Sequence, residues 1–206
     1  MGELRIVAGE LRRRRIWAPE GRRVRPTSDR VREALFDILG PTVDGACALD
    51  AYAGSGALGL EALSRGARSA TFLEADPTAL RFLQRNIQGL GVSSRCHVIA
   101  ARAEQVPLAA VPGAAFDLVL ADPPYAANVR ESFLERLRCP EVVRESGRVV
   151  IERDRDEEPA SGASTGWRLV RTARYGRTCL DFYRRDESVT DPRAPSGSSA
   201  RRVPRS

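Results

Sequence analysis

Between Ala46 and Glu152 the chain repeats one pattern, a short apolar run followed by a turn and an amphipathic segment. The apolar runs are Ala46–Leu49, Ala70–Leu73, Cys96–Ala100, Phe116–Ala121 and Arg148–Glu152. Their lengths suit strands. Between them, a helix runs through Leu60, Ala62 and Leu63 to Gly66. Another is capped by Asp76 with Pro77 at its first position, buries Leu80, Leu83 and Ile87, and ends at Gly89 or Gly91. A short, poor helix is expected around Ala103–Ala110, and a further one capped by Asn128 with Glu131 in the first turn. Strands alternating with helices predict an α/β fold with a mostly parallel sheet.

The flanks read differently. Leu4–Gly9 and Leu11–Trp17 surround a four-arginine run and suggest a β-ribbon arm. Thr27-Ser28-Asp29 offers helix caps, and Val31, Ala34, Leu35, Ile38 and Leu39 form an apolar stripe that Gly40-Pro41 ends. Trp167–Arg174 and Thr178–Arg184 predict a hairpin around Tyr175-Gly176-Arg177, which adds an antiparallel strand. The expected organisation is a basic arm and helix over 1–40, one α/β domain over 41–186, and a Ser/Pro/Arg-rich disordered tail over 187–206.

Charge narrows the partners. All 33 basic residues are Arg, and the formal net charge is +6. Residues 1–32 hold ten Arg against four acids, whereas the remainder is balanced at 23 of each. The excess that attracts a polyanion therefore sits at the N-terminus. Without Lys there is no Schiff-base chemistry and no Walker A loop. Cys47, Cys96, Cys139 and Cys179 are scattered and His97 is the single histidine, so no metal site is expected. Nothing resembles a signal peptide or a membrane span, and a cytoplasmic protein is the expectation.

Two loops carry chemistry. Asp50-x-x-x-Gly54-x-Gly56-x-x-Gly59 lies between a strand and a helix, where glycines permit a tight turn and close backbone approach to a ligand. Glu74 ends the next strand, placed to accept ribose hydroxyls. The glycine spacing also matches a dinucleotide site. Asp50, however, would repel a pyrophosphate and suits a cationic ligand end, and no catalytic His or Lys is evident. The second loop is Asp122-Pro123-Pro124-Tyr125, which follows the strand Phe116–Ala121. Two prolines cannot extend a sheet ladder, so a carboxylate, carbonyls and a ring stand on a stiff loop at a strand's C-terminal end.

Ala51-Tyr52-Ala53-Gly54-Ser55-Gly56 with Glu74 resembles motif I and the following acidic residue of class I S-adenosylmethionine-dependent methyltransferases. Asp122–Tyr125 resembles the (D/N/S)-P-P-(Y/F) motif of enzymes that methylate exocyclic or amide nitrogens. Together with Arg5–Gly9, Arg25–Phe36 and the run over 54–65, these stretches resemble the RsmD family, the bacterial 16S rRNA guanine-N2 methyltransferases, over about residues 4–185.

The resemblance implies a Rossmann-like class I methyltransferase fold with a mostly parallel seven-stranded sheet and a C-terminal antiparallel hairpin. It implies S-adenosyl-L-methionine, held by Asp50, Ala51, Tyr52, Ala53, Gly54, Ser55, Gly56, Glu74, Ala75, Arg102 and Ala103, and S-adenosyl-L-homocysteine as product. It further implies Asp122, Pro123, Pro124 and Tyr125 as the acceptor loop, no metal, and a monomer that methylates guanine 966 of 16S rRNA in the small ribosomal subunit. One stretch departs from the class. Ala100-Ala101-Arg102-Ala103-Glu104 lacks an acid directly after the third strand, which leaves a backbone contact near Arg102–Ala103 for the adenine.

In that mechanism Asp122 and the Pro123 carbonyl accept the two hydrogens of the guanine amino group, and Tyr125 stacks on the base. Arg12, Arg13, Arg14, Arg15, Arg22, Arg23, Arg25, Thr27 and Arg30 are the expected RNA contacts. The rival readings are a DNA adenine-N6 or other nucleic-acid amino-methyltransferase, and a non-catalytic RNA-binding assembly factor.

Overall fold

The computed structural model describes residues 2–19, 28–123, 127–162 and 165–186. The arm is a β-ribbon, β1 (Gly2–Arg5) antiparallel to β2 (Arg15–Ala18). Helix α1 (Asp29–Leu39) follows and is capped by Ser28, whose hydroxyl accepts from Val31 N at 3.3 Å. Five parallel strands come next, with three helices among them: β3 (Cys47–Ala51), α2 (Ala57–Ser64), β4 (Ser69–Glu74), α3 (Pro77–Leu90), β5 (Cys96–Ala100), β6 (Phe116–Ala121), α4 (Ala127–Arg136) and β7 (Val143–Asp154). The hairpin β8 (Trp167–Tyr175) and β9 (Thr178–Arg185) closes the sheet.

The seven strands lie in the order β5-β4-β3-β6-β7-β9-β8, with β7–β9 and β9–β8 antiparallel. The order turns at β3, whose neighbours β4 and β6 lead away on opposite sides. This is the topological switch point at which open α/β sheets hold their ligands.

Each face of the sheet carries its own core. Leu118, Leu120, Val150 and Phe182 pack with α1, α2, α3 and the arm residues Ile6 and Ile16. Val119, Ala121, Ile151 and Tyr183 pack with Phe133 and Leu134 of α4, with Leu137 just after it, and with Trp167. Trp167 is fully buried, and its indole N–H donates to the Leu134 carbonyl at 3.0 Å. The buried ring contributes about 2–3 kcal/mol only because its one polar atom keeps a partner.

The structure corrects several local expectations. The segment around Ala103–Ala110 is two separate 3-10 turns, Ala103–Gln105 and Leu108–Ala110, divided at Pro107, which has no N–H for a continuous ladder. Asn128 is not a cap, because α4 already includes Ala127. Glu131 instead accepts from Ser161, at 3.0 Å from its backbone N and 3.2 Å from its hydroxyl. β7 begins at Val143, so Gly147 lies inside it. A Cβ there would stand 2.8 Å from Arg144 O and 3.1 Å from Phe116 O, so glycine lets the irregular β6–β7 ladder pass. The tail from Glu187 lies outside the described residues.

Candidate cofactor and acceptor site

Register brings the carboxylates together. Ala51 of β3 faces Leu73 of β4 and Ala121 of β6, and Ala121 faces Ile151 of β7. One residue further on, Glu74, Asp122 and Glu152 therefore share the C-terminal rim of the sheet, with Asp50 just below. Several carboxylates at one rim make a negative potential suited to a cation.

Asp50 lies within β3, not after it. Its Oδ2 accepts from Gly59 N at 2.8 Å, which ties the strand end to the first turn of α2. Burial raises the Asp50 carboxyl to about 8; the Gly59 amide opposes this and Glu74 reinforces it. Asp122 is half-buried, and its carboxyl also stands well above the ordinary range, first through burial and then through Glu152 and Asp50. Both groups take up negative charge more readily once a cation or hydrogen-bond donor arrives.

The three glycines do different work. A Cβ on Gly56 would lie 2.4 Å from Leu83 Cδ1 of α3, and one on Gly59 would lie 2.4 Å from Phe72 Cε1 of β4, so Gly56 serves close packing of the turn against α3 and Gly59 that of α2 on the sheet. Gly54, at φ +58°, would meet nothing within 4 Å. It is the glycine that leaves room for a ligand. Glu74 stands beside it, with Oε2 accepting from Gly54 N at 2.7 Å and Oε1 from Asp76 N at 2.6 Å. The loop and the carboxylate are thus fixed together, and each carboxylate oxygen keeps a further lone pair for a hydroxyl. An open backbone beside a fixed acid and a buried carboxylate fits a ribose flanked by a cationic end.

Tyr52 occupies the left-handed region at φ +63°, which is unusual for a non-glycine residue. Its ring meets Phe133 of α4 edge-on at 5.6 Å, and its hydroxyl donates to Glu104 Oε1 at 2.8 Å. Burial and then Glu104 push the phenol up. Ala103 is buried and Arg102 is exposed. Arg136 of α4 donates to the carbonyls of Ala103 and Val106, which fixes the turn after β5. The sequence reading missed this clamp and the Tyr52–Glu104 pair, because both span distant segments. Of the acceptor loop, Asp122 and buried Pro123 are described; Pro124 and Tyr125 lie outside the described residues.

The expected RNA contacts divide likewise. Arg12, Arg13, Arg14 and Arg15 stand exposed at the ribbon tip, and Arg30 is exposed on α1, whereas Arg22, Arg23, Arg25 and Thr27 lie outside the described residues. The arm is firmly seated. The buried Glu61 of α2 accepts from Val7 N at 2.8 Å and from Ala8 N at 3.0 Å. Asn86 of α3 accepts from Trp17 N and donates to Trp17 O, and it also donates to Ser55 O at 2.9 Å. Trp17 is half-buried, with Arg85 over its ring at 5.2 Å. Among the described residues no cluster of three or more His, Cys, Asp or Glu is placed to hold a metal, and no helix is long and apolar enough to cross a membrane.

A seven-stranded sheet of this order, with a glycine loop and two acids at its switch point, is the Rossmann-like architecture of class I methyltransferases. The chain belongs to the RsmD family: residues 4–184 match the family model described as Conserved hypothetical protein 95. It is 34% identical over 188 residues to the Escherichia coli K12 protein named Ribosomal RNA small subunit methyltransferase D, covering 90% of this chain and 91% of that one. Among solved structures it is similar to Escherichia coli yhhF, with a TM-score of 0.77 and 34% identity, covering 90% of this chain and 99% of the other. Thermus thermophilus RsmC, a 16S rRNA N2 G1207 methyltransferase in complex with AdoMet and guanosine, shares the fold at a TM-score of 0.66 and 22% identity, over 89% of this chain and 50% of that one.

Proposed function

We propose that this chain is a cytoplasmic S-adenosylmethionine-dependent methyltransferase acting on the exocyclic N2 of a guanine in 16S rRNA, guanine 966 by family resemblance, within the small ribosomal subunit or an assembly intermediate of it. The observation that carries the reading is the convergence of Asp50, Gly54 and Glu74 with Asp122 on the switch point between β3 and β6.

Asp50, Tyr52–Gly56 and Glu74 would hold the cofactor, with Glu74 on the ribose hydroxyls and Asp50 facing the cationic methionine end. Ala75 would lie beside the adenosine, with Arg102 and Ala103 at the adenine end. Bound there, S-adenosylmethionine supplies a methyl group already activated by its sulfonium charge. The chain's task is then to place and polarise the acceptor. Asp122 and the Pro123 carbonyl accept the two amino hydrogens, which draws the nitrogen lone pair out of conjugation and aims it. Burial and then Glu152 and Asp50 raise the Asp122 carboxyl, and the amino hydrogens it accepts favour its ionised form. Pro124 stiffens the loop and Tyr125 stacks on the guanine. Exposed Arg12–Arg15 and Arg30, with Arg22, Arg23, Arg25 and Thr27, would bind phosphates.

The test is incubation of the protein with radiolabelled S-adenosylmethionine and small subunits from a strain lacking the endogenous enzyme, followed by nucleoside mapping. The expected product is N2-methylguanosine at one position of 16S rRNA. Label in 23S rRNA, tRNA or DNA, or in N6-methyladenosine, would overturn the assignment, and no label in any RNA would favour the assembly-factor reading.

A further inference from the structure

At the sheet edge away from the glycine loop, three arginines stand in one row. Arg148 of β7 lies directly opposite Arg184 of β9, and Arg184 lies directly opposite Arg168 of β8. Directly opposed residues project to the same face of a sheet, with Cβ atoms about 5 Å apart. Arg168 and Arg184 are exposed and Arg148 is half-buried. Among the described residues none of the three is in an ion pair. Like charges in this register destabilise a free protein, and Arg148 registers this: burial and then Arg184 lower its tendency to hold its proton. Exposed Arg171 continues the strip, opposite Phe182 on the same face.

The face matters. Val150, Leu180 and Phe182, which share it, pack in the core that contains α1, α2, α3 and the arm. The arginine row is therefore on the arm's side of the sheet. The opposite side is different in character. There Asp181 pairs with Arg153 at 2.6 Å and accepts from Thr172, and the connection that carries Asp156, Glu157 and Glu158 is anchored to Arg130 of α4. One side of the hairpin thus lines up arginines in direct register, whereas on the other the exposed Arg174 stands opposite Cys179 with no arginine across from it.

We propose that Arg148, Arg184 and Arg168, continued by Arg171, form a second phosphate-binding strip for the sugar-phosphate backbone of the rRNA substrate, on the arm's side of the sheet and separate from the arm. The proposal rests on the rRNA reading above. Guanidinium groups unpaired within the protein are available to phosphates and gain from them, and a polyanion relieves their mutual repulsion. Such contacts position the RNA without reading sequence. The footprint then spans the sheet from the ribbon tip to its far edge.

The test compares wild type with R148Q/R168Q/R184Q, and R168Q with R174Q. Arg174 is opposite Cys179 on the other face of the same strand, so it controls for net charge alone. Binding to small subunits is measured from low to high salt, along with KM and kcat for methyl transfer to them. The triple variant is expected to reduce the slope of log affinity against log salt by about two and to raise KM about tenfold with kcat retained. R168Q is expected to weaken binding more than R174Q. The triple variant should also melt no lower than wild type, because it removes repulsion; if Arg148 proves necessary for folding, R168Q/R184Q serves with a slope change of about one. An unchanged slope in a folded variant, or equal effects of R168Q and R174Q, overturns the strip while leaving the rRNA reading intact. A wild type that binds no small subunit at any salt overturns both.

Discussion

Asp50 and Gly59 are joined across the turn between β3 and α2, with the buried carboxylate of Asp50 accepting the Gly59 amide at 2.8 Å. In the proposed function the same carboxylate faces the cationic end of the ligand. Its carboxyl titrates near 8 in the folded chain against about 4 when unfolded. The folded state therefore holds a proton that the unfolded chain gives up between those values, and this group makes the ligand-free protein less stable as pH rises from about 4 to about 8. Ligation by a cation reverses the preference. Affinity for S-adenosylhomocysteine, which keeps the amino group, should rise with pH up to about 8, with proton release visible by calorimetry in buffers of different ionisation enthalpy. Asp50→Asn should remove that pH slope and weaken the ligand about tenfold or more, since a hydrogen bond to a charged group is worth about 1.5–3 kcal/mol. A variant that keeps the slope would remove Asp50 from the account.

The glycines allow a sharper separation. Gly59→Ala forces a Cβ into Phe72 and should cost about 1–3 kcal/mol in chemical denaturation. Gly54→Ala meets no neighbour, but its positive φ should cost about 1–2 kcal/mol. Ligand affinity should fall more in Gly54→Ala than in Gly59→Ala at temperatures where both remain folded. The reverse order would place the ligand elsewhere.

Glu61 is the main anchor of the arm. It is fully buried, binds two arm amides, and pairs with Arg65 at 2.9 Å. Glu61→Ala leaves those donors unsatisfied and should destabilise the protein by about 3 kcal/mol. Trypsin should then cut within Arg12–Arg15 faster than it does in wild type, and an unchanged rate of cleavage there would contradict the anchoring role. A second anchor fits less readily into a sequence reading. Gly9, at φ +83°, lies so close to Ser64 O that no Cβ could be placed there.

Much of this architecture was legible because it is local. Apolar runs and glycine stops mark the strands, Asp76-Pro77 marks the start of α3, and Asp122-Pro123 marks the end of β6. Elements whose limits depend on partners were misjudged. β7 extends back to Val143 because β6 pairs with it across an irregular ladder, and Asn128 lost its expected capping role because α4 already includes Ala127. Spacing alone singles out Asp50, Gly54 and Glu74, and the structure brings them together at one rim. Arg136 on the carbonyls of Ala103 and Val106, and Tyr52 on Glu104, were not, because nothing in the sequence relates residues about 30 to 50 positions apart until the sheet order is known.

The central claim is that Asp122 polarises the acceptor amine. Single-turnover methyl transfer to small ribosomal subunits by Asp122→Ala, with retained affinity for both S-adenosylhomocysteine and the particle, tests it most directly. The account predicts a rate lower by about 100-fold or more, and a wild-type pH profile that rises with pH as the raised carboxyl of Asp122 ionises. Transfer by Asp122→Ala at the wild-type rate would contradict it.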